Sequence, residues 1–236
     1  LSYNAKITAP AEPTKTGYTF GGWYKESTCT TEWNFSSDTV TKNITLYAKW
    51  TLEPPSVTIT GAPEEPVTYG TSVTLTVSVT HDITDLDYTY KWYKVDTELT
   101  DQAESTLVLS TVEDSGEYKV EVTATDTDGQ TVTTGDLQTV SITPASVEIP
   151  DPSDMKFTYN GQEQTYPIAD NTLYTVTGNQ QTDAGDYTVT VSLTDKDNYI
   201  WAGSNAEDRT YSFTIARKAI AVTWSGLIQV YGDTEL

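Results

Sequence analysis

Three short stretches in the middle of the chain decide its fold: residues 73–79 (VTLTVSV), 90–94 (YKWYK) and 118–122 (YKVEV). The first and third alternate strictly between apolar and polar side chains, and the second places a tryptophan between them. A side-chain period of two is typical of strands that bury one face, and such strands pack as two facing antiparallel sheets. This region therefore predicts a β-sandwich with Trp92 in its interior.

The composition of the whole chain favours strands over helices. Threonine makes up close to a fifth of the 236 residues, and no stretch of ten or more residues shows helical periodicity. β-branched side chains fit a pleated sheet and lose rotamer freedom in a helix. Because the length suits two or three small domains, we expect an all-β protein built of tandem small β modules.

The formal net charge of −21 is unevenly distributed along the chain. Residues 1–51 carry +1, residues 52–144 carry −14, residues 145–219 carry −6 and residues 220–236 carry −2. An acidic surface repels phosphate backbones and anionic lipid headgroups. We therefore expect no nucleic-acid partner and no membrane insertion, and the simplest role for the charge is to keep an extracellular segment soluble.

Cysteine usage also indicates where the protein acts. Cys29 is the single cysteine, so an internal disulfide is impossible. Secreted animal immunoglobulin domains usually carry a disulfide between their sheets, whereas bacterial surface modules often lack one. The sequence shows no signal peptide, sorting signal or apolar run of about eighteen residues. We expect an extracellular piece of a longer polypeptide, on a bacterial surface or secreted.

The first module, residues 1–51, is framed by two aromatic stretches, 17–24 (GYTFGGWY) and 40–50 (VTKNITLYAKW). They resemble the two ends of the Listeria–Bacteroides repeat, the family to which the internalin B-repeat belongs. The resemblance implies a small, partial β-grasp-like module that occurs in tandem on bacterial surface proteins. The leading strand of that family and its Asn-Gly-Gly turn are missing here, so we expect a module truncated at its front. A module this small needs its aromatic side chains for a core, and the candidates are Trp23, Trp33 and Trp50.

The second module, residues 52–144, follows a stiff Glu-Pro-Pro linker. Residues 114–120 (DSGEYKV) resemble the Asp-x-Gly-x-Tyr-x-Cys signature of immunoglobulin-like domains. The resemblance places Tyr118 at the tyrosine corner. It also places Val77 and Val120 where the two half-cystines would stand, so packing around Trp92 has to replace the disulfide.

Residues 126–129 (DTDG) allow two interpretations. Alternating carboxylates suit calcium, which makes Asp126 and Asp128 weak candidate ligands. An Asp-Gly pair between two strands is also a strong hairpin signal. Because the remaining residues of a calcium-binding loop are missing, we expect a plain turn and no metal site.

The third module, residues 145–219, contains the segments YNG, DAGDYTV, NYIW and FTIARKA in that order. Together they resemble the bacterial repeat called the MBG domain, found in stacked copies on large secreted proteins. The fold expected is a second sandwich or a β-grasp-like repeat, with Tyr187 in the core. Residues 220–236 look like the start of a further repeat.

Catalytic groups are sparse in this sequence. His81 is the only histidine, and neither it nor Cys29 has the accompanying ligands or bases that a metal centre or a nucleophile requires. We therefore expect no enzyme activity and no cofactor. An isopeptide bond from a buried lysine to Asn or Asp is a weaker expectation.

Two functions from different classes remain. The first is a non-enzymatic stalk or adhesin segment of a bacterial surface protein, contributing to adhesion to a host protein or glycan. The second is a carbohydrate- or protein-binding module whose exposed aromatic platform involves Trp33, Tyr199 and Trp201. An accessory region of a secreted glycan-active enzyme is a third possibility. In each case the neighbouring modules of the same chain are expected partners.

Overall fold

The computed structural model describes residues 2–152 and 155–223, which fall into two compact units, one ending at Thr143 and one beginning at Pro144. The regular structure of the described residues is nineteen strands and one short 3₁₀ turn. The predicted all-β fold class is confirmed.

The first unit begins with a two-stranded hairpin, formed by β1 (Tyr18–Tyr24) and β2 (Tyr47–Leu52). The pairing is antiparallel, and its register shifts between Phe20 and Trp23, where two glycines form a bulge. The Phe20 ring lies edge-on to the rings of Trp23 and Trp50, at centroid distances of 5.5 and 5.6 Å. Trp23 and Trp50 are half-buried in this small aromatic cluster.

The rest of the first unit is a sandwich of two antiparallel sheets, with strand orders β3-β5-β8 and β10-β9-β6-β7. A third, parallel pair joins β4 to β11. The bounds are β3 (Ser56–Thr60), β4 (Val67–Thr68), β5 (Val73–Thr80), β6 (Asp87–Lys94), β7 (Thr97–Glu98), β8 (Thr106–Leu109), the 3₁₀ turn Val112–Asp114, β9 (Gly116–Thr125), β10 (Thr131–Val140) and β11 (Ile142–Thr143).

The core of the sandwich surrounds Trp92 on β6, whose side chain is fully buried. Its indole N–H donates to the backbone oxygen of Glu104 at 2.9 Å, so the polar atom of the ring is satisfied. Val77 and Val120 are buried in the same cluster. Apolar packing thus occupies the place where related sandwiches have a disulfide.

The same tyrosine contact occurs once in each unit. The hydroxyl of Tyr118 donates to the backbone oxygen of Asp114 at 2.7 Å, and that of Tyr187 donates to Asp183 at 2.8 Å. Both pairs belong to the sequence Asp-x-Gly-x-Tyr. Tyr118 is buried and Tyr187 half-buried. Burial, followed by the nearby Asp114 charge, raises the pKa of Tyr118 to about 12, so its hydroxyl stays a donor at physiological pH.

One edge of the sandwich is closed by a side chain from the opposite sheet. Ile59 lies on β3, an outer strand of its sheet, and its backbone N–H donates to Oδ2 of Asp136 on β10 at 2.7 Å. The carboxylate therefore takes the place of a neighbouring strand at this position.

The second unit is built around a mixed four-stranded sheet of order β13-β19-β17-β15, with two further strand pairs, β12-β18 and β14-β16. The bounds are β12 (Ala145–Val147), β13 (Phe157–Thr158), β14 (Gln164–Thr165), β15 (Tyr174–Thr177), β16 (Gln180–Gln181), β17 (Gly185–Leu193), β18 (Tyr199–Trp201) and β19 (Arg209–Ala216). Phe213 stacks on Tyr166 at 5.1 Å and contacts Phe157 edge-on at 5.3 Å.

Residues 217–223 follow the last strand without regular structure, and most of the predicted further repeat, residues 224–236, lies outside the described residues. The hairpin and the sandwich were predicted as separate modules with a boundary after residue 51. β2 runs through that position to Leu52, and both parts belong to one compact unit.

We predict that Trp92→Ala lowers the free energy of unfolding of the first unit by about 3–5 kcal/mol, because it leaves a large cavity between the sheets. Val108, which is 62% exposed on β8, is the control, and Val108→Ala should change the stability by less than about 0.5 kcal/mol. Native-state hydrogen exchange of the β5 and β9 amides measures both. Equal effects of the two substitutions would contradict the central role of Trp92.

Candidate functional site: the joint between hairpin and sandwich

The hairpin and the sandwich share a small apolar core of their own, which we call the joint. Its buried members are Leu52 from β2, Leu86 from the loop before β6 and Ala124 from β9. Partly buried side chains complete the cluster: Tyr18, Ile83, Tyr88 and Val132. A two-stranded hairpin alone is at best marginally stable in water. The joint therefore supplies apolar burial that the hairpin cannot obtain from its own residues.

A hydrogen bond between Tyr18 and Asp126 crosses the joint. The Tyr18 hydroxyl donates to Oδ2 of Asp126 at 2.8 Å, although the two residues lie 108 positions apart in the chain. Asp126 is only 7% exposed. Its Oδ1 accepts from the backbone N–H groups of Asp128 at 3.0 Å and Gln130 at 2.8 Å. One carboxylate thus organises the β9–β10 turn and ties that turn to the hairpin.

The two side chains shift each other's ionisation. Burial alone would raise the pKa of Asp126, but the hydrogen bonds from Tyr18, Gln130 and Asp128 outweigh burial and hold the pKa below its ordinary value. The hydrogen bond to Asp126, assisted by burial, raises the pKa of Tyr18. Both shifts favour a neutral phenol donating to a charged carboxylate at neutral pH.

A close backbone contact lies beside this hydrogen bond. Gly17 has φ of 74°, and a Cβ built on it would lie 2.6 Å from Cγ1 of Ile83 and 2.8 Å from Cε1 of His81. The backbone oxygen of Gly17 accepts from the N–H of Glu53 at 3.0 Å. Gly17 therefore meets both requirements of this position, a positive φ and a close approach to the sandwich.

His81 is engaged in the same contact. Its Nδ1 accepts from the backbone N–H of Ile83 at 3.0 Å, which leaves Nε2 to donate to the backbone oxygen of Glu53, also at 3.0 Å. Cys29 lies elsewhere, in the hairpin's long loop, with its thiol directed to the oxygen of Ser27 at 3.8 Å. The polar partners shown for His81 and Cys29 are therefore backbone groups.

The candidate calcium ligands have different surroundings. The Asp126 oxygens are used by Tyr18 and by the turn, whereas Asp128 is exposed. Across residues 2–152 and 155–223, no group of three or more His, Cys, Asp or Glu side chains is placed to hold a metal ion. The turn that the Asp-Gly pair predicts is present between β9 and β10.

The predicted aromatic platform is not formed by its two tryptophans. Trp201 is fully buried in the second unit, and its indole N–H donates to the oxygen of Glu207 at 2.8 Å. Its strand pairs with β12, and this long-range pairing places the ring in the core. Trp33 is also buried, at 6% exposure, and Tyr199 is half-buried. Because both rings are buried, the prediction that Trp33 and Trp201 belong to an exposed platform is corrected.

The lysines bear on the expected isopeptide bond. Within residues 2–152 and 155–223, no lysine is buried. Lys94 is the one half-buried lysine of these residues, and it donates to the backbone oxygen of Glu113. The shortest lysine–aspartate pairs, Lys196–Asp208 at 2.8 Å and Lys25–Asp38 at 3.0 Å, are exposed ion pairs. The buried lysine on which that expectation depends is therefore missing from the described residues.

Comparison with known families assigns the two parts of the first unit. Residues 1–49 match the Listeria–Bacteroides repeat domain, and residues 56–139 match the PKD domain, which is immunoglobulin-like. The prediction of a Listeria–Bacteroides repeat is confirmed, and the immunoglobulin-like sandwich is identified more closely as a PKD domain. The resemblance of residues 145–219 to the MBG repeat stays a prediction.

Relatives match the chain mainly over the length of one repeat. A protein of Evansella cellulosilytica described as a Gly-rich membrane protein is 46% identical over 55 residues, which are 23% of this chain and 6% of that protein. Internalin H of Listeria monocytogenes is 48% identical over 50 residues, which are 21% of this chain and 9% of internalin H. The chain thus spans less than a tenth of the length of these curated relatives.

Solved structures with partial similarity include the fibronectin(III)-like modules of Clostridium thermocellum CbhA, with 12% identity and a TM-score of 0.26 over 73% of this chain and 100% of that chain. Murine CEACAM1b gives 16% identity and a TM-score of 0.26 over 69% and 100%. TM-scores this low support no argument about function.

In the described part of the chain, no helix has the length and hydrophobicity needed to cross a membrane.

We predict that Tyr18→Phe destabilises the hairpin by about 1–3 kcal/mol, because the buried Asp126 carboxylate loses a donor. Tyr47→Phe is the matched control, since Tyr47 lies on the partner strand with 39% exposure and should contribute less than about 0.5 kcal/mol. Hydrogen exchange of the β1–β2 amides reports the opening free energy in each variant. A loss in the control as large as that in Tyr18→Phe would contradict the prediction.

The lowered pKa of Asp126 predicts a dependence on acid. A carboxyl whose folded pKa is depressed contributes stability above its unfolded pKa of about 4, and that contribution disappears as the pH falls through the folded value. The opening free energy of the β1–β2 amides should therefore fall between about pH 5 and pH 2. Asp126→Asn should show a smaller fall, and identical slopes for both proteins would refute the assignment.

Proposed function

We propose that this chain is a non-catalytic spacer segment of an extracellular bacterial surface protein, in which the joint fixes the repeat rigidly on the PKD domain. The observation that carries the proposal is the joint itself, with its own apolar core and the partly buried Tyr18–Asp126 hydrogen bond. A surface protein that presents a distal binding tip needs stiff connections between its modules. The joint is the kind of contact that provides one.

The connection between the hairpin and the sandwich is short. β2 ends at Leu52 and β3 begins at Ser56, and the three residues between them include Pro54 and Pro55. Prolines restrict φ and favour an extended chain. Together with the contacts on Gly17 and Asp126, this linker restricts movement of the repeat about the sandwich.

The surface chemistry supports an extracellular setting. Listeria–Bacteroides repeats and PKD domains suggest an extracellular or cell-surface location. The acidic sandwich surface suits a soluble, exposed segment and disfavours polyanionic partners. We propose that the protein stands on the bacterial cell wall or is secreted, and that the third module is an MBG-type repeat continuing the array.

The absence of enzyme activity is part of the proposal. Repeat and PKD modules are typically non-catalytic. His81 and Cys29, the two residues considered for catalysis, already have structural partners. An accessory region of a glycan-active enzyme would share this architecture. The function proposed for the segment, beyond spacing, is a contribution to adhesion to a host protein or glycan.

A binding role has one specific observation in its favour. Although the Trp33 and Trp201 rings are not exposed, Trp33 lines a cavity of about 330 Å³ in the long loop of the hairpin. On the second unit, Tyr199 is not among the residues that line the two cavities beside Tyr166. The second candidate function, a binding module, therefore rests on the repeat.

Nitrogen-15 relaxation of the full chain tests the spacer function. If the joint is rigid, amides of β1–β2 and of β5–β10 fit one rotational diffusion tensor. The double variant Tyr18→Phe, Leu52→Ala should separate the two sets, whereas Tyr47→Phe should not. Independent tumbling of the β1–β2 and the β5–β10 amides in the unaltered protein would contradict the proposal.

A further inference from the structure

The long loop of the hairpin, residues 25–46, encloses the cavity noted above, which we call the Trp33 cavity. Its polar lining includes Lys25, Trp33, Asp38, Lys42 and three threonines, and its apolar lining is Ile44 and Leu46. The volume of about 330 Å³ lies at the lower end of the range for small-molecule sites. It exceeds the space that a single ion or water molecule needs and suits one sugar ring.

Trp33 carries an unpaired donor in this wall. The residue is 6% exposed, and its backbone N–H donates to the oxygen of Trp23 at 2.7 Å. Its indole Nε1–H is buried and has no acceptor among the described residues. Buried polar groups are almost always paired, so an orphaned donor beside a cavity indicates a missing acceptor. In the two other buried tryptophans, Trp92 and Trp201, the same atom is paired with a backbone oxygen.

The charges of the cavity favour an anion. Asp38 is already engaged: its Oδ2 accepts from the backbone N–H of Asn34 at 2.9 Å and from Lys25 at 3.0 Å. These contacts, with the backbone hydrogen bond first, hold the pKa of Asp38 below its ordinary value. Lys42 has no ion-pair partner in residues 2–152 and 155–223. Beside the Lys25–Asp38 ion pair, the cavity therefore offers one unpaired ammonium group, that of Lys42, and an indole N–H.

We propose that the Trp33 cavity binds an acidic sugar, a pyranose ring that bears a carboxylate. The carboxylate pairs with Lys42, next to the Lys25–Asp38 ion pair, and the threonine hydroxyls, which both donate and accept, suit the ring hydroxyls. Ile44 and Leu46 offer apolar contact to the C–H face of the ring.

The acidic sandwich does not prevent this binding. Residues 1–51 carry a net charge of +1, in contrast to −14 on residues 52–144. Charges farther apart than the Debye length, about 8 Å at physiological salt, are largely screened. The cavity lining itself carries two lysines against one aspartate, and these charges lie closest to a bound anion. The proposal deepens the adhesion component of the proposed function, and the spacer role is tested separately by the relaxation measurement.

Titration of the ¹⁵N-labelled full chain with sodium glucuronate tests the site. We expect a saturable shift of the Trp33 indole resonance, which is assigned by its loss in Trp33→Phe. Glucose and acetate, which carry only the ring or only the carboxylate, should shift it weakly. No saturable shift with glucuronate overturns the proposal. Equal binding of glucose, acetate or an N-acetylated dipeptide with a free C-terminal carboxylate also overturns it, because the site then does not recognise an acidic sugar.

A pair of lysine variants provides the matched control. Lys42→Gln should weaken glucuronate binding about fivefold, the upper end for an exposed ion pair, and raised salt should weaken binding to the unaltered protein. Lys49→Gln removes the same charge from β2, where Lys49 lies over the Tyr24 ring outside the cavity lining, and should bind as the unaltered protein does. Since both lysines are exposed, both variants should fold. Equal affinities of the two variants would overturn the role of Lys42.

Discussion

The packing of Trp92 between the two sheets is the constraint on which the first unit depends. With a single cysteine in the chain, no internal disulfide joins the sheets, and an apolar cluster that includes the indole, Val77 and Val120 holds them together. The ring is fully buried and its N–H is paired with Glu104, so it contributes apolar area without an unsatisfied polar atom. The tyrosine corner at Tyr118 then fixes the loop before β9 beside this core.

The hairpin depends on the sandwich in turn. Its two strands bury part of an aromatic cluster, but half-buried Trp23 and Trp50 do not make a closed core. Leu52 and Tyr18 extend that core onto the sandwich, and the Asp126 carboxylate converts the contact into a directional one. In the proposed spacer, stability and stiffness have one origin, because the residues that stabilise the repeat are those proposed to restrict its motion.

Sequence periodicity located the longer strands but not their partners. The alternating stretches 73–79 and 118–122 lie in β5 and β9, because strict alternation defines a strand with one buried face. The strand pair β4–β11 and the short β7 were missed, since two residues carry no periodic signal. β10 continues through Gly135 to Val140, and the interruption falls at Ser141. The Tyr18–Asp126 contact had no local signal, and Asp126 was considered only as a turn residue and a weak calcium ligand. Trp201 was misplaced because a short aromatic strand does not reveal which face a distant strand will cover.

The hydrogen bond from the Ile59 N–H to the Asp136 carboxylate also affects how one molecule can pair with another. An open row of backbone groups on one molecule is a template for β-pairing with a strand of another. The Asp136 carboxylate already accepts from the Ile59 N–H in that row, so an incoming strand finds one fewer site to bond. A residue that completes the fold of a single molecule thereby also blocks one position of an open sheet edge.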